Sequence, residues 1–208
     1  DNPPRTGAAI THCEENTVTT TTMKRCCGTS VGVIITDVQN RLLMITRGWW
    51  PKGTAPVAGH VRDEHTSVAA ALVAEVEEEV GLTVTGSGLV WEGHLPNLCA
   101  SLPAEPRPGH YWHLATATAE GTVVAAEGET KGAAWYTREQ VTTLATATLA
   151  HYRAGGTAAE QPDASLEAVW LRLLHESGRL PWLTEDDLAL AEQAYSTAPG
   201  EYWLGGRP

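Results

Sequence analysis

The stretch AEVEEEVGL, residues 74–82, places four glutamates within five positions and ends on a glycine. On a helix, Glu75, Glu78 and Glu79 stand at i, i+3 and i+4, so their carboxylates share one face and repel one another by a few tenths of a kcal/mol per pair. A cation would relieve that repulsion. Hard divalent ions take several carboxylate oxygens, and Mg2+ in particular binds through one or a few carboxylates together with the phosphates of its substrate. The competing reading is a solvated acidic helix face in an acidic protein. Arg47, at the end of an apolar run, offers a planar guanidinium that grips phosphate in bidentate fashion or forms a surface ion pair. Trp49 and Trp50 follow in a Gly/Pro-rich loop, where they can stack on a base or pack against later helices.

The remaining candidates carry weaker signals. The segment GHYWH, read as a strand, puts His110 and Trp112 on one face and Tyr111 and His113 on the other. A metal shared by the two histidines is therefore not expected, although a single histidine lining a pocket remains open. Cys13, Cys26, Cys27 and Cys99 show neither a CxxC pair nor the Cys/His spacing of a zinc site. They read as reduced, mostly buried thiols.

Elements that would position these residues follow from periodicity. SVGVIITD and RLLMITRG are β-branched apolar stretches separated by VQN, a hairpin signal. TSVAAALVAEVEEEV reads as a helix with Thr66 or Ser67 as N-cap and Gly81 as its stop; Val68, Leu72, Val73, Val76 and Val80 form its apolar stripe. LTVTGSGLVWEGHL, HYWHLATATA and KGAAWYT read as strands, and REQVTTLATATLAHYRAGG as a helix that an interruption could split. Two further helical stretches, SLEAVWLRLLHESGRL and TEDDLALAEQAYST, form a C-terminal appendage.

Composition bounds the function. A chain of 208 residues accommodates one good domain with an appendage. The formal net charge of -11 argues against a nucleic-acid polymer as partner, because that affinity rests on Lys and Arg neutralising phosphates. No apolar run is long enough to span a membrane, and the opening residues lack the apolar core of a signal peptide, so a cytoplasmic location is expected. Residues 1–24 are polar, Thr-rich and aperiodic, and are expected to form a flexible tail.

Here the sequence resembles the Nudix hydrolases. Their box runs glycine, five residues, Glu, seven residues, then Arg, Glu, apolar, any, Glu, Glu, any, Gly, apolar. Residues Glu75 to Leu82 match its last eight positions, and Gly59, His60 and Val61 resemble its opening. Two positions depart from it: Ala74 stands where the box has Arg, and the upstream Glu falls on His65 or Thr66 according to the direction of counting, with Glu64 nearby in neither register. In the family that Arg and Glu brace the loop against the helix.

The resemblance implies an α+β Nudix fold, a mixed β-sheet sandwiched between α-helices, spanning residues 25–152, with a helical C-terminal extension over 165–200. It implies a hydrolase of a diphosphate linkage in a small nucleoside diphosphate-type molecule, dependent on Mg2+ or Mn2+. Glu75, Glu78 and Glu79 would be metal ligands, with Glu75 and Glu79 counted as catalytic. A further acid from the loop before the Trp-led strand, Glu127 or Glu129, would act as base or extra ligand, and Glu129 is the one carried forward. Arg47, Trp49, Trp50 and His60 would face substrate, with His60 equally readable as structural. A non-catalytic ligand-binding or regulatory module on the same fold is the alternative, and a homodimer is left open. An isomerase of the same fold acting on a prenyl diphosphate would need a catalytic Cys and Glu that the sequence does not place.

Overall fold

A computed structural model describes residues 25–61, 65–103, 109–128, 130–197 and 199. The expected tail, Glu64, Glu129 and the centre of the Pro-rich loop lie outside the described residues. In chain order the elements are β1 (Arg25–Cys26), β2 (Thr29–Ile35), β3 (Leu42–Arg47), β4 (Thr54–Ala55), β5 (Val57–His60), α1 (Val68–Val80), β6 (Thr83–Leu95), β7 (Leu102–Pro103), β8 (His110–Glu120), β9 (Thr130–Tyr136), α2 (Arg138–Arg153), α3 (Ala168–Glu176) and α4 (Glu185–Tyr195). They form an α+β sandwich of the expected kind. One sheet runs β5-β2-β8-β6, a second β4-β3-β9, and β1 pairs with β7.

The β2 strand is hydrophobic without alternation because both of its faces are covered. Val31, Val33 and Ile35 point into a core under α1, while Ile34 points to the opposite core. In β3 the same division sends Leu43 and Ile45 to the first core and Leu42 and Met44 to the second. The expected hairpin between β2 and β3 survives only at its turn. Asp37 Oδ1 accepts the backbone N–H groups of Gln39 and Arg41 there, and a single antiparallel bridge joins Thr36 to Leu42. Beyond it the strands diverge into different sheets, since β5 and β8 occupy both edges of β2.

Helix α1 begins and ends where its residues require. Ser67 Oγ accepts the Ala70 N–H at 3.1 Å, and Gly81, at φ 68°, donates its N–H to the Glu77 carbonyl. Its buried stripe is Ala71, Leu72, Val76 and Val80. Val73, expected on that stripe, is 46% exposed; the small Ala71 takes the buried position, which brings the helix close to β5.

The C-terminal helices are part of the main core. Helix α2 runs unbroken, and with α3 and α4 it closes the sheet face opposite α1 around Trp170, Leu173, Leu174 and Leu180, all at most 1% exposed. The lead into α3 adds to a strand edge: Thr54 N–H donates to Ser165 O at 2.7 Å, and Glu167 N–H donates to Thr54 O at 3.0 Å, which makes a parallel bridge between Thr54 and Leu166. Among the described residues no helix is long and apolar enough to cross a membrane.

Candidate active site

The glutamate helix meets the sheet at β5. Glu75 and Glu79, one turn apart, both lean onto this strand and are half-buried, whereas Glu77 and Glu78 are exposed. Ala58 N–H donates to Glu79 Oε2 at 3.3 Å. The Glu75 carboxylate lies directly over the Cα of Gly59, in space that a Cβ at that position would occupy. Gly59 is therefore glycine because a carboxylate needs its place, not because a turn requires it.

This contact makes a prediction. Gly59→Ala should leave the melting temperature near that of the parent, because only the flexible tip of Glu75 must move. The displaced carboxylate should lower any metal-dependent activity about 10–100-fold, as loss of an orienting contact around a metal ligand does. Gly88→Ala, where an added Cβ meets nothing within 4 Å, is the control. Equal activity in the two variants would show that the carboxylate's placement over Gly59 is incidental.

On the other side of Glu75, His65 Nε2 approaches Oε1 at 3.9 Å. An imidazole thus stands beside this carboxylate in a chain whose preceding residue, Ala74, carries no charge. The segment before β9 is tied to the end of α1, because Val124 N–H donates to Val80 O at 2.9 Å and Ala126 N–H to Glu79 O at 3.1 Å. Glu127, in the turn that follows, is exposed, and Glu129 lies outside the described residues.

Arg47 closes β3 and faces the C-terminal segment rather than a surface acid. Its terminal nitrogen stands 3.6 Å from Oε2 of the buried Glu167, too long for a hydrogen bond, and both Arg47 Nε and Glu167 Oε2 are buried without a hydrogen-bond partner. Burial pushes the Glu167 carboxyl up, against the opposing pull of Arg47 and His110. Glu167 lines a pocket with Trp50, Lys52, Asn97, Gln161 and Tyr195. Trp50 is 6% exposed and packs inside, while Trp49 is half-buried. Of the sequence candidates, the fold thus brings Glu75 and Glu79 together on β5 and joins Arg47 and Trp50 around Glu167.

The NUDIX domain family model matches residues 28–155. The chain belongs to the Nudix family. Among solved structures it resembles the NUDIX domain of Shewanella oneidensis NrtR complexed with ADP-ribose, with TM-score 0.50 and 11% identity over 74% of this chain and 87% of that one. It also resembles a NUDIX-family hydrolase from Clostridium perfringens (TM-score 0.43, 19% identity, 55% of this chain and 84% of that one). A Nitrosomonas europaea NUDIX hydrolase gives TM-score 0.45 and 17% identity over 55% of this chain and 75% of that one. At 11% identity the likeness to the NrtR domain is one of fold. Comparison with curated proteins gives no match.

The Nudix chain also carries a cluster that spacing did not reveal. Cys26 from β1, His60 from the end of β5, Cys99 from the segment after β6 and His110 from the start of β8 bring one ligand atom each to a common point, all within 4.8 Å of one another. Cys26 Sγ lies 3.0 Å from His110 Nε2 and 3.4 Å from His60 Nε2, and the two imidazoles stack with centroids 5.3 Å apart. His60, expected to be structural or to face substrate, turns its Nε2 into this group. His113 points away to the other face and pairs with Glu92 at 2.6 Å, as the strand alternation requires. Cys26, Cys27 and Cys99 are free thiols, as expected, but only Cys26 is buried, while Cys27 and Cys99 are half-buried. The four residues are distant in sequence, so only the tertiary fold assembles them.

Proposed function

We propose that this Nudix protein is a divalent-metal-dependent hydrolase of the diphosphate linkage in a small nucleoside diphosphate-type molecule. The observation that carries the reading is the pair Glu75 and Glu79, two carboxylates from successive turns laid on one strand, with one of them seated where Gly59 leaves room. The oxygen-only donor set of Glu75, Glu78 and Glu79 fits Mg2+ or Mn2+, and β5 supplies a rigid wall for it. Such an ion supplies charge neutralisation on the phosphate oxygens and a lowered pKa for bound water.

The chain's own residues do the rest. Glu79, held by the Ala58 N–H, and Glu75, held over Gly59, fix carboxylate oxygens that a mobile side chain would present only part of the time. Glu78, exposed beside them, completes the ligand set from the solvent side. Glu129, proposed from the sequence, or Glu127, exposed in the turn that follows the backbone bonds from Val124 and Ala126 to the end of α1, would take the proton from the attacking water. Arg47, whose buried Nε–H has no hydrogen-bond partner, would donate to a phosphate oxygen, and Trp49 and Trp50 of the loop that follows would face the same substrate.

The test is phosphate or nucleotide release from a panel of nucleoside diphosphate sugars, dinucleoside polyphosphates and nucleotides. ADP-ribose heads the panel, as the ligand of the NrtR domain. Turnover should require Mg2+ or Mn2+ and vanish with chelator. One observation favours a second reading, a non-catalytic ligand-binding module: the Arg that braces the box is Ala74 here. Saturable binding of a panel member with no metal-dependent turnover of any would select that second reading.

A further inference from the structure

We propose that Cys26, His60, Cys99 and His110 form a closed, tetrahedral zinc site that clamps the sheet beside the glutamate helix. Two sulfurs and two imidazole nitrogens converging on one point suit Zn2+, which takes four such ligands in structural sites, and are the wrong donors for Mg2+, Mn2+ or Ca2+.

The distances between the ligand atoms also suit such a site. With Zn–N bonds of about 2.0–2.1 Å and Zn–S bonds of about 2.3 Å, the edges of a tetrahedron run roughly 3.3–3.8 Å. The edges seen here are 3.0 Å for Cys26 to His110, 3.4 Å for Cys26 to His60 and 3.3 Å for His60 to His110. Cys99 Sγ stands within 4.8 Å of all three.

The surroundings already orient the ligands. His110 Nδ1 lies 3.0 Å from the Asn97 carbonyl, which only accepts, so the ring proton sits on Nδ1 and the Nε2 lone pair faces the cluster. Asn97 is itself fixed, because its Oδ1 accepts the Trp112 indole N–H at 2.8 Å. Gly28 N–H donates to Cys26 Sγ at 3.2 Å, a bond that stabilises a thiolate. Binding would release a proton from each thiol, leaving two thiolates to neutralise the dication within a group whose Cys26 and His110 are at most 3% exposed.

The four ligands come from β1, the end of β5, the segment after β6 and the start of β8, so the ion would tie β1 and the segment after β6 to the sheet in which β5 and β8 both flank β2. With all four positions held by protein, the site has no place for a substrate and is structural rather than catalytic. His60 directly follows Gly59, so the clamp would also fix the strand end on which Glu75 rests.

The experiment is elemental analysis of the full chain, purified under reducing conditions without added metal. About one zinc per chain is expected, and Cys27→Ser, at the neighbouring thiol outside the group, should keep it. Cys99→Ser and His60→Ala, at half-buried positions, should each lose it. Refilling stripped wild-type protein with Co2+ needs no variant to fold, and should give the intense visible bands of tetrahedral cobalt together with thiolate-to-cobalt charge transfer. Zn2+ should also raise the melting temperature of stripped protein, where equal Mg2+ does not. Absence of zinc with no cobalt signature would overturn the proposal, as would a Cys26–Cys99 disulfide in the reduced preparation or zinc retained in both ligand variants. None of these readings uses substrate, so they stand apart from the fate of the hydrolase assignment.

Discussion

Replacing Glu79 by Gln should lower metal-dependent turnover at least about 100-fold, or roughly 2.7 kcal/mol at about 1.36 kcal/mol per tenfold. The amide can still accept the Ala58 N–H, so the side chain keeps its place and loses only its charge. Without added metal the variant should be as stable as its parent, or a few tenths of a kcal/mol more so, because a like-charged neighbour of Glu75 has been removed. The difference emerges on adding Mg2+ or Mn2+. A bound ion stabilises the folded chain by RT ln(1 + [M]/Kd), about 2.7 kcal/mol at a hundredfold excess over Kd, and that increment should shrink in the variant. NaCl at equal ionic strength should not reproduce it, since screening acts on the whole acidic surface. An unchanged increment in Glu79→Gln, read by melting temperature on zinc-replete protein, would place the cation elsewhere and return the glutamates to the role of a solvated helix end.

The second large effect is on stability. Trp170→Ala should cost about 3–5 kcal/mol, a substantial part of the 5–15 kcal/mol that holds an ordinary domain. The indole is 1% exposed, sits against Gly32 of β2, where a Cβ would come within 2.9 Å of its ring, and meets Trp112 edge-on with centroids 6.1 Å apart. Its removal leaves a cavity against strand backbone, which relaxes little. Urea denaturation should show the midpoint falling with the slope unchanged. A loss under about 1 kcal/mol would mean that α3 is dispensable to the core, contrary to the packing described.

How much of this was legible beforehand depends on the range of the interaction. Helix α1 was readable almost to the residue, because Ser67 and Gly81 act on their own neighbours and the glutamate spacing follows from helix geometry. Val73 was misplaced because which side of a broad apolar stripe turns inward is decided by the partner surface, here β5. The hairpin signal at residues 37–40 was correct for the turn. It failed for the strands, whose edges were claimed by β5, β8, β4 and β9. Glu167 gave one hint, a single acid amid the apolar run Leu166, Ala168, Val169 and Trp170, but its partner Arg47 is set by tertiary structure alone. The Cys/His group was illegible for the same reason: ligands at 26, 60, 99 and 110 have no common motif, and the fold supplies their proximity.

The strand-edge contact between the β4 region and the lead into α3 has a consequence for how the chain is made. Its hydrogen bonds span 109 residues, from Thr54 to Asp163 and from Lys52 to Gln161. Among the described residues the core under α1 draws on none later than Trp135, so it can close while the ribosome is still adding α3 and α4. The opposite face, with Ile34, Met44, Trp112 and Leu114, must wait for Trp170 and Tyr195. At about 5–20 residues per second, translation leaves that face only partly covered for several seconds. During that interval the nascent chain shows a half-built sandwich to its surroundings, and slow codons or scarce chaperone should reduce the yield of this protein more than point changes on its finished surface.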